Sequence, residues 1–335
     1  MKTFLITGVA GFLGSHLAER LLSLGNHVVG IDNLIGGYKE NVPRECEFYE
    51  VDLNNFDEVK PLFKNVDTVV HSACTAYEGL SVFSPSLVVQ NTFQITANAL
   101  SASIQSGVNR FVFMSSMARY GSQSILPFTE DMNPAPQDPY GIAKYSSELL
   151  VKNLAEVHGM DFVILVPHNI IGPRQKFDDP YRNVASIMIN RILHGLQPII
   201  YGNGEQKRCF SFINDVVDPI LVACNSENAI GEIINIGPDD EFVSINELAK
   251  AISRLMDWEL RPIYVNERPQ EVLQANCSAD KARNLLGYEP QVTLESGLEE
   301  LIAWIKQQPI RPFTYHLPIE ILNEKTPKTW TQKLI

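Results

Sequence analysis

The chain has 335 residues, of which 45% are hydrophobic and 20% charged, a composition typical of a globular protein with a large core. Its formal net charge of −12 argues against a nucleic-acid partner, because phosphate binding needs clustered lysine and arginine. The N-terminus MKTFLITG has the pattern of a strand rather than of a signal peptide. No apolar run approaches the roughly 20 residues that span a bilayer. We therefore expect a cytoplasmic protein with no membrane partner.

The cysteines and histidines predict neither a disulfide framework nor a metal site. The five cysteines are scattered along the chain, which is typical of free thiols in a reducing compartment. The seven histidines show neither an HExxH motif nor paired spacing with cysteine, so we expect no metal.

Short runs of apolar residues alternate with helical patterns in the first half of the chain. The runs predicted as strands are Phe4–Thr7, Val28–Asp32, Val66–Ala73, Arg110–Ser116 and Phe162–Val166. They are apolar on both faces, as strands of a parallel sheet covered by helices are. Between the first two lies a helical leucine stripe, ended by Gly25. This alternation predicts an α/β fold with a doubly wound parallel sheet, the Rossmann type.

The pattern changes after Gly172 and indicates a smaller C-terminal, substrate-binding lobe. Helices are predicted around Ile187–Leu193, after a capping box at Ser244–Glu247, and over Thr293–Ile305. We predict a Rossmann domain over residues 1–172, to which 209–236 return. The lobe would comprise 173–208 and 237–310, and 311–335 would form an extended arm.

A glycine motif follows the first strand and opens the first helix. Gly8, Gly11 and Gly14 allow a tight turn and a close approach of the backbone to a pyrophosphate at the helix N-terminus. Asp32 ends the second strand, 18 residues after Gly14, where an acid that binds a ribose 2′-hydroxyl is expected. An acid there would repel a 2′-phosphate, so the pattern favours NAD over NADP.

A second motif, Tyr140-Gly-Ile-Ala-Lys144, opens another helix. The spacing puts the phenol and the ammonium group on one face. Lys144 and an oxidised nicotinamide would both favour the phenolate and lower the pKa of Tyr140. Tyr140 could then remove a hydroxyl proton while a hydride leaves the same carbon.

Taken together, the chain resembles an extended short-chain dehydrogenase/reductase of the nucleotide-sugar epimerase/dehydratase family. The resemblance covers roughly residues 1–305 and rests on TGVAGFLG, DNL (32–34), VDL (51–53), HSA (71–73), SSMARYG, PYGIAK, HNIIGPRQ and LLGYEP. It implies a homodimer.

The resemblance also implies roles for individual residues. The implied catalytic residues are Tyr140 as base, Lys144 on the nicotinamide ribose and Ser116 on the reacting hydroxyl. The implied cofactor contacts are Gly8, Gly11, Phe12, Leu13, Gly14, Asp32, Asn33, Asp52, Leu53 and Ala73, together with Tyr140 and Lys144. The implied substrate contacts are Asn169, Asn183, and an arginine pair, Arg208 and Arg268, on the diphosphate. The chain departs from the family pattern at Cys209, at Gln270-Glu271 and at His168.

The residues after Ser116 point to the reaction. Family members that act at C5 or C6 of the sugar carry Asp-Glu, Glu or Cys there, whereas this chain has Met117 and Ala118. Neither side chain can move a proton, so we expect chemistry confined to C4: 4-epimerisation of a nucleotide sugar, most simply a UDP-sugar, through a transient 4-keto sugar. A dehydratase or a 4-dehydrogenase is the alternative, and an NAD-binding sensor or scaffold is the alternative outside enzymes.

Two further residues stay open at this point. Arg119 either binds an acidic substituent such as a uronate carboxylate or pairs with a local acid such as Glu130 or Asp131. Glu78 either approaches the sugar, which would suit a dehydratase or a C5 epimerase, or is a solvated loop acid.

Overall fold

The computed structural model describes residues 1–240 and 242–335. The strands, in chain order, are β1 (Thr3–Thr7), β2 (His27–Asp32), β3 (Glu47–Glu50), β4 (Thr68–His71), β5 (Arg110–Met114), β6 (Asp161–Pro167), β7 (Asn169–Ile171), β8 (Ile199–Tyr201), β9 (Lys207–Arg208), β10 (Phe210–Phe212), β11 (Ile233–Ile236), β12 (Val243–Ser244), β13 (Ile263–Val265) and β14 (Gln274–Ala275). The helices are α1 (Phe12–Ser23), α2 (Phe56–Val59), α3 (Glu78–Ser81), α4 (Pro85–Val89), α5 (Ile95–Ser106), α6 (Pro139–His158), α7 (Val184–Leu193), α8 (Ile213–Asn225), α9 (Ile245–Leu255), α10 (Asp280–Leu286), α11 (Leu294–Gln307) and α12 (Lys328–Thr331).

Seven of these strands form one parallel sheet in the order β11-β6-β5-β4-β1-β2-β3. The chain winds outward from β1 in both directions, so the prediction of a doubly wound parallel sheet is confirmed. The strand order reverses between β1 and β4, and the carboxyl ends of the strands at such a point are where open α/β sheets bind ligands.

Helices cover both faces of the sheet. Along β5, Val112 and Met114 face one apolar core, while Phe111 and Phe113 face the other, as the two-residue period of a strand requires. All four side chains are buried. This arrangement explains why the strand has no polar face in the sequence.

The smaller sheets lie in the second half of the chain. β7 pairs with β10, β8 with β13, and β9 lies between β12 and β14. The helix after Ser244 begins with the predicted capping box, in which Glu247 N donates to Ser244 Oγ at 3.1 Å and Ser244 N donates to Glu247 Oε2 at 2.7 Å. The assignment of residues to two domains stays a prediction, although β11, from the stretch 209–236, does join the main sheet. No helix in the described part of the chain is both long and apolar enough to cross a membrane.

Candidate active site

One cleft of about 470 Å³ opens at the carboxyl ends of the central strands and extends to the small sheets. Its lining contains every residue that the sequence predicts for the cofactor and the substrate, except Arg119. The structure therefore brings these residues together, while the role of each stays a prediction. Glu78 also lines the cleft.

The glycine motif forms a tight turn between β1 and α1. Gly8 has a φ of +76°, in the left-handed region that favours glycine, and its N–H donates to Ile31 O at 2.7 Å. A Cβ atom at Gly14 would lie 2.2 Å from Gly8 O, so no larger residue fits there. The N-terminus of α1 has no side-chain cap, which leaves its N–H groups available to an anion. This cradle fits the pyrophosphate of NAD.

Two carboxylates lie beyond this turn. Asp32 Oδ2 accepts from Ala10 N at 2.9 Å, and Oδ1 accepts from Leu34 N at 2.7 Å. Burial raises the pKa of Asp32, and the backbone N–H groups partly oppose this. Asn33 Nδ2 donates to Asp52 Oδ2 at 2.9 Å and so fixes the second carboxylate. Acids that line this end of the cleft fit ribose hydroxyls and disfavour a phosphate.

The predicted catalytic residues converge at the start of α6. Tyr140 is buried in its first turn, and Lys144 lies one turn later, with Nζ 5.9 Å from the centre of the Tyr140 ring. Lys144 Nζ donates to Met114 O at 2.7 Å, which ties α6 to the end of β5. Ser116 follows that strand, and its Oγ accepts from Ala118 N at 3.2 Å.

Burial dominates the pKa of Tyr140 in the protein alone. Burial raises this pKa well above its ordinary value, the neighbouring Cys74 adds to the rise, and a hydrogen bond with Ser116 opposes it. The charge of Arg182 lowers the pKa. The lowering that Lys144 and an oxidised nicotinamide together would produce stays a prediction.

The prediction of Arg119 as a substrate contact is wrong. Arg119 is 2% exposed and does not line the cleft. Its Nε lies 2.9 Å from Glu148 Oε1, and its guanidinium carbon lies 4.8 Å from the centre of the Tyr120 ring. Ser115 donates to the same carboxylate. The alternative of a local acid is right in kind, but the partner is Glu148 on α6 rather than Glu130 or Asp131.

Arg208 and Arg268 both line the cleft, but they have different bonding partners. Arg208 Nη1 and Nη2 donate to the carbonyls of Lys207 and Val272 at 2.8 and 2.5 Å. Arg268 pairs with Glu271 at 2.9 Å and lies over the Tyr201 ring, 4.7 Å from its centre. Burial lowers the pKa of Arg208, and the positive charge of the nearby Arg268 lowers it further. Such a pair favours a polyanionic ligand.

The two predicted amides, Asn169 and Asn183, are held by hydrogen bonds to the backbone. Asn169 Nδ2 donates to Cys209 O at 3.1 Å. Asn183 caps α7 with a φ of +66° and accepts from Ser186 N at 3.5 Å. Both line the cleft, and neither is shown to touch a substrate.

The sequence analysis did not single out Arg182, which lines the cleft near Tyr140. Its guanidinium carbon lies 5.2 Å from the centre of the Tyr77 ring, and Nη2 makes one long hydrogen bond, 3.4 Å, to Gly36 O. It forms no ion pair within the described residues. Its place directly before Asn183, in a stretch rich in polar residues, was the available signal.

Comparisons with known proteins agree with this geometry. The model of the NAD dependent epimerase/dehydratase family matches residues 4–237. A UDP-glucose 4-epimerase from Thermotoga maritima, solved with UDP-glucose, is 32% identical with a TM-score of 0.86 and covers 91% of this chain and 99% of its own. A UDP-glucuronic acid 4-epimerase from Bacillus cereus, solved with UDP-glucuronic acid and NAD, is 31% identical with a TM-score of 0.85 and the same coverage. A UDP-N-acetyl-alpha-D-glucosaminuronate decarboxylase from Bacillus cytotoxicus is 31% identical and covers 91% of this chain and 98% of its own. These proteins are matched nearly end to end, so this chain carries residues that they lack.

Proposed function

We propose that this chain, which belongs to the NAD dependent epimerase/dehydratase family, interconverts UDP-sugars that differ in configuration at C4. The predicted family, fold and cofactor are confirmed: the chain is an NAD-dependent nucleotide-sugar epimerase of the Rossmann type. The assignment of UDP-sugar, the identity of the sugar and the residue roles below are the proposal.

The observation that carries the reaction is the pairing of Tyr140 and Ser116 beside two side chains without proton chemistry. Ala118 packs against Tyr140, and Met117 follows Ser116 into the cleft. Removal of a C5 proton needs a base within hydrogen-bond reach of that carbon. The turn that would place such a base in this position supplies none, so the geometry favours chemistry at C4.

Each residue of the site has a proposed role in the reaction. The glycine turn, Asp32 and Lys144 would hold NAD, which when bound takes a hydride from sugar C4 and gives it back. Ser116 Oγ would orient the C4 hydroxyl, and Tyr140 Oη would take its proton and later return it. The burial of Tyr140 excludes water from that transfer.

We propose further that the sugar is a uronate. Arg182 is a half-buried cation of the cleft, close enough to Tyr140 to lower its pKa. The charge of Asp179 raises the pKa of Arg182, but within the described chain no carboxylate lies at ion-pair distance from it. A carboxylate on the sugar would supply the missing partner, and a guanidinium group suits it because it can donate two parallel hydrogen bonds.

Product analysis tests the reaction. The purified protein is incubated with UDP-glucose and UDP-glucuronate in D₂O, and the sugars are followed by NMR. We expect the C4 epimer, with no deuterium at C5 and no CO₂ released. Deuterium at C5, or loss of the carboxylate, would favour the second candidate, a dehydratase or decarboxylase that uses Glu78, which also lines the cleft.

Arg182→Gln tests the sugar. Removal of one charged hydrogen-bonding partner costs about 1.5–3 kcal/mol, so we expect kcat/KM for UDP-glucuronate to fall roughly 10- to 100-fold. The loss for UDP-glucose should be smaller, because it reflects only the effect of Arg182 on the pKa of Tyr140. Arg174→Gln is the matched control, because Arg174 lies outside the cleft and pairs with Glu19 at 2.7 Å. An equal loss of kcat/KM for both sugars would show that Arg182 does not bind the carboxylate of the uronate.

A further inference from the structure

The arm (residues 311–335) is fastened to both halves of the molecule. On the sheet side, the Glu320 carboxylate accepts from Ser86 N at 2.9 Å and from Leu87 N at 2.8 Å, at the start of α4. On the side of the small sheets, Arg191 Nη1 donates to Leu334 O at 2.7 Å. The arm is therefore held in place over the end of the cleft rather than trailing from it.

Apolar contacts bring the arm up to residues that line the cleft. Trp330 is 3% exposed, and its ring centre lies 5.6 Å from that of Tyr181 and 6.0 Å from that of Phe83. Leu317, Trp330 and Ile335 share one buried cluster with Tyr77, Tyr181 and Ile199. The last three also line the cleft.

Two arm residues contact the cleft directly or through a residue that lines it. Ile335 itself lines the cleft. The Thr329 hydroxyl is buried and lies 2.6 Å from the Tyr201 hydroxyl. The face of the Tyr201 ring carries the Arg268 guanidinium group at 4.7 Å. A chain of contacts therefore runs from the arm, through one aromatic ring, to an arginine that faces the ligand space.

We infer that the arm is part of the nucleotide-sugar site: Ile335 forms an apolar wall, and Thr329 positions Arg268 by fixing the Tyr201 ring. This inference rests on the proposed function, in which Arg268 binds the diphosphate. The comparisons are consistent with an added element, because the relatives are matched almost completely while about 91% of this chain is covered.

The geometry makes the effect specific to one half of the cleft. Thr329 bonds Tyr201, whose ring carries Arg268, and Ile335 shares an apolar cluster with Ile199. The glycine turn and Asp32 line the part of the cleft beside β1 and β2. Loss of the arm contacts should therefore weaken nucleotide-sugar binding without weakening NAD binding.

The test compares Thr329→Val with Thr329→Ser in the full, NAD-loaded protein. The valine variant keeps the shape and loses the hydroxyl, while the serine variant keeps the hydroxyl. Calorimetric titration with UDP and with UDP-glucose should show Kd about fivefold higher for valine, the size expected for one hydrogen bond, and near the wild-type value for serine. NAD affinity and kcat should stay unchanged in both, with the loss confined to KM.

Ile335→Ala, with Leu334→Ala as its matched control, tests the wall. Leu334 is 48% exposed and does not line the cleft, so only the Ile335 variant should raise the Kd for UDP-glucose. Equal values for Thr329→Val and Thr329→Ser, or a loss of NAD affinity as large as that for UDP, would overturn the inference. A wild-type protein that binds UDP-sugars without epimerising them would refute the proposed function alone, since the Kd ratios would still report on the arm.

Discussion

Tyr140 is the residue on which the proposed chemistry depends, and its surroundings oppose its ionisation. Burial is the largest cause of the raised pKa of Tyr140, and Cys74 and Glu78 add to it. The opposing influences are the Ser116 hydroxyl and the charge of Arg182. A phenol in this state keeps its proton until a further positive charge arrives, which is the charge that oxidised NAD would bring. In the proposed reaction, Tyr140 would therefore become a competent base only with oxidised NAD bound beside it.

Tyr140→Phe should abolish most of the turnover. A positioned acid–base group contributes about 10²–10⁴-fold to rate, and we expect kcat to fall by that factor while NAD stays bound. Stopped assays of C4 epimerisation by NMR measure the effect.

Tyr145→Phe provides the matched control on the same helix. Tyr145 is partly buried but does not line the cleft, so its variant should keep the wild-type rate. A Tyr140→Phe enzyme with full turnover would remove the catalytic assignment.

Single residues also mark the limit of what the sequence could predict. Gly8, Asp32 and Lys144 line one cleft, as expected, because each belongs to a local motif whose spacing fixes its geometry, while their roles stay predictions. Arg119 was misplaced because its partner, Glu148, lies 29 residues further along the chain and meets it only when α6 packs against the end of β5. Arg182 was missed because its one local signal, the place directly before Asn183, is too weak to distinguish a cleft arginine from a surface one.

Among the elements, long periodic segments were predictable and short ones were not. β1, β2, β5 and β6 have apolar runs that burial on both faces requires, and α9 has its capping box. β3 was missed because it is an edge strand whose residues are mostly exposed. The strands of the small sheets span only two or three residues, and partners distant in sequence, rather than a local period, define them.

α6 is the element that sets the site, and its N-terminus determines where Tyr140 points. Asp138 Oδ1 caps it by accepting from Gly141 N at 2.9 Å, and Pro139 occupies the first turn. Burial, and next the Glu78 carboxylate, raise the pKa of Asp138 from 3.8 to about 7. With an ordinary pKa the Asp138 carboxyl group would be fully ionised at pH 7, whereas with the raised pKa it is about half ionised there.

Asp138→Asn should change how stability depends on pH. Because the folded protein binds this proton more tightly than the unfolded chain, the contribution of Asp138 to the free energy of unfolding is full below pH ~4 and is lost as the pH rises to about 7. Asparagine can still cap the helix but does not titrate. Between pH 5 and 7 the wild type should lose stability relative to the variant by about 1.4 kcal/mol per pH unit, as measured by urea unfolding.

The control for this effect is Asp131→Asn, an exposed aspartate whose pKa is lowered by its hydrogen bond with Thr129. Its curve should run parallel to that of the wild type above pH 5. Parallel curves for Asp138→Asn as well would mean that Asp138 is fully ionised in the folded protein at neutral pH.

In the whole molecule, three parts of the chain line the cleft: the carboxyl ends of the central strands, the small sheets and, through Ile335, the arm. The predicted homodimer would leave this cleft open. α6 presents Ile142, Leu149 and Val157 to solvent, each 49–67% exposed, at spacings that put them on one side of the helix. The opposite side of α6 carries Tyr140 and Lys144 into the interior. An apolar stripe of this kind is what a partner would cover.

Leu149→Glu should therefore produce a monomer. A charge in the centre of an apolar interface loses its hydration without gaining a partner. This cost in free energy is large enough to dissociate a dimer of standard interface area. Light scattering after gel filtration should give twice the chain mass for the wild type and a single chain mass for Leu149→Glu. Leu322→Glu, on the arm and 68% exposed, should stay dimeric. Since the catalytic side chains of α6 face inward, the monomer should keep its NAD; a monomeric wild type would refute the dimer, and loss of NAD with the dimer would show that α6 needs its partner to hold the site.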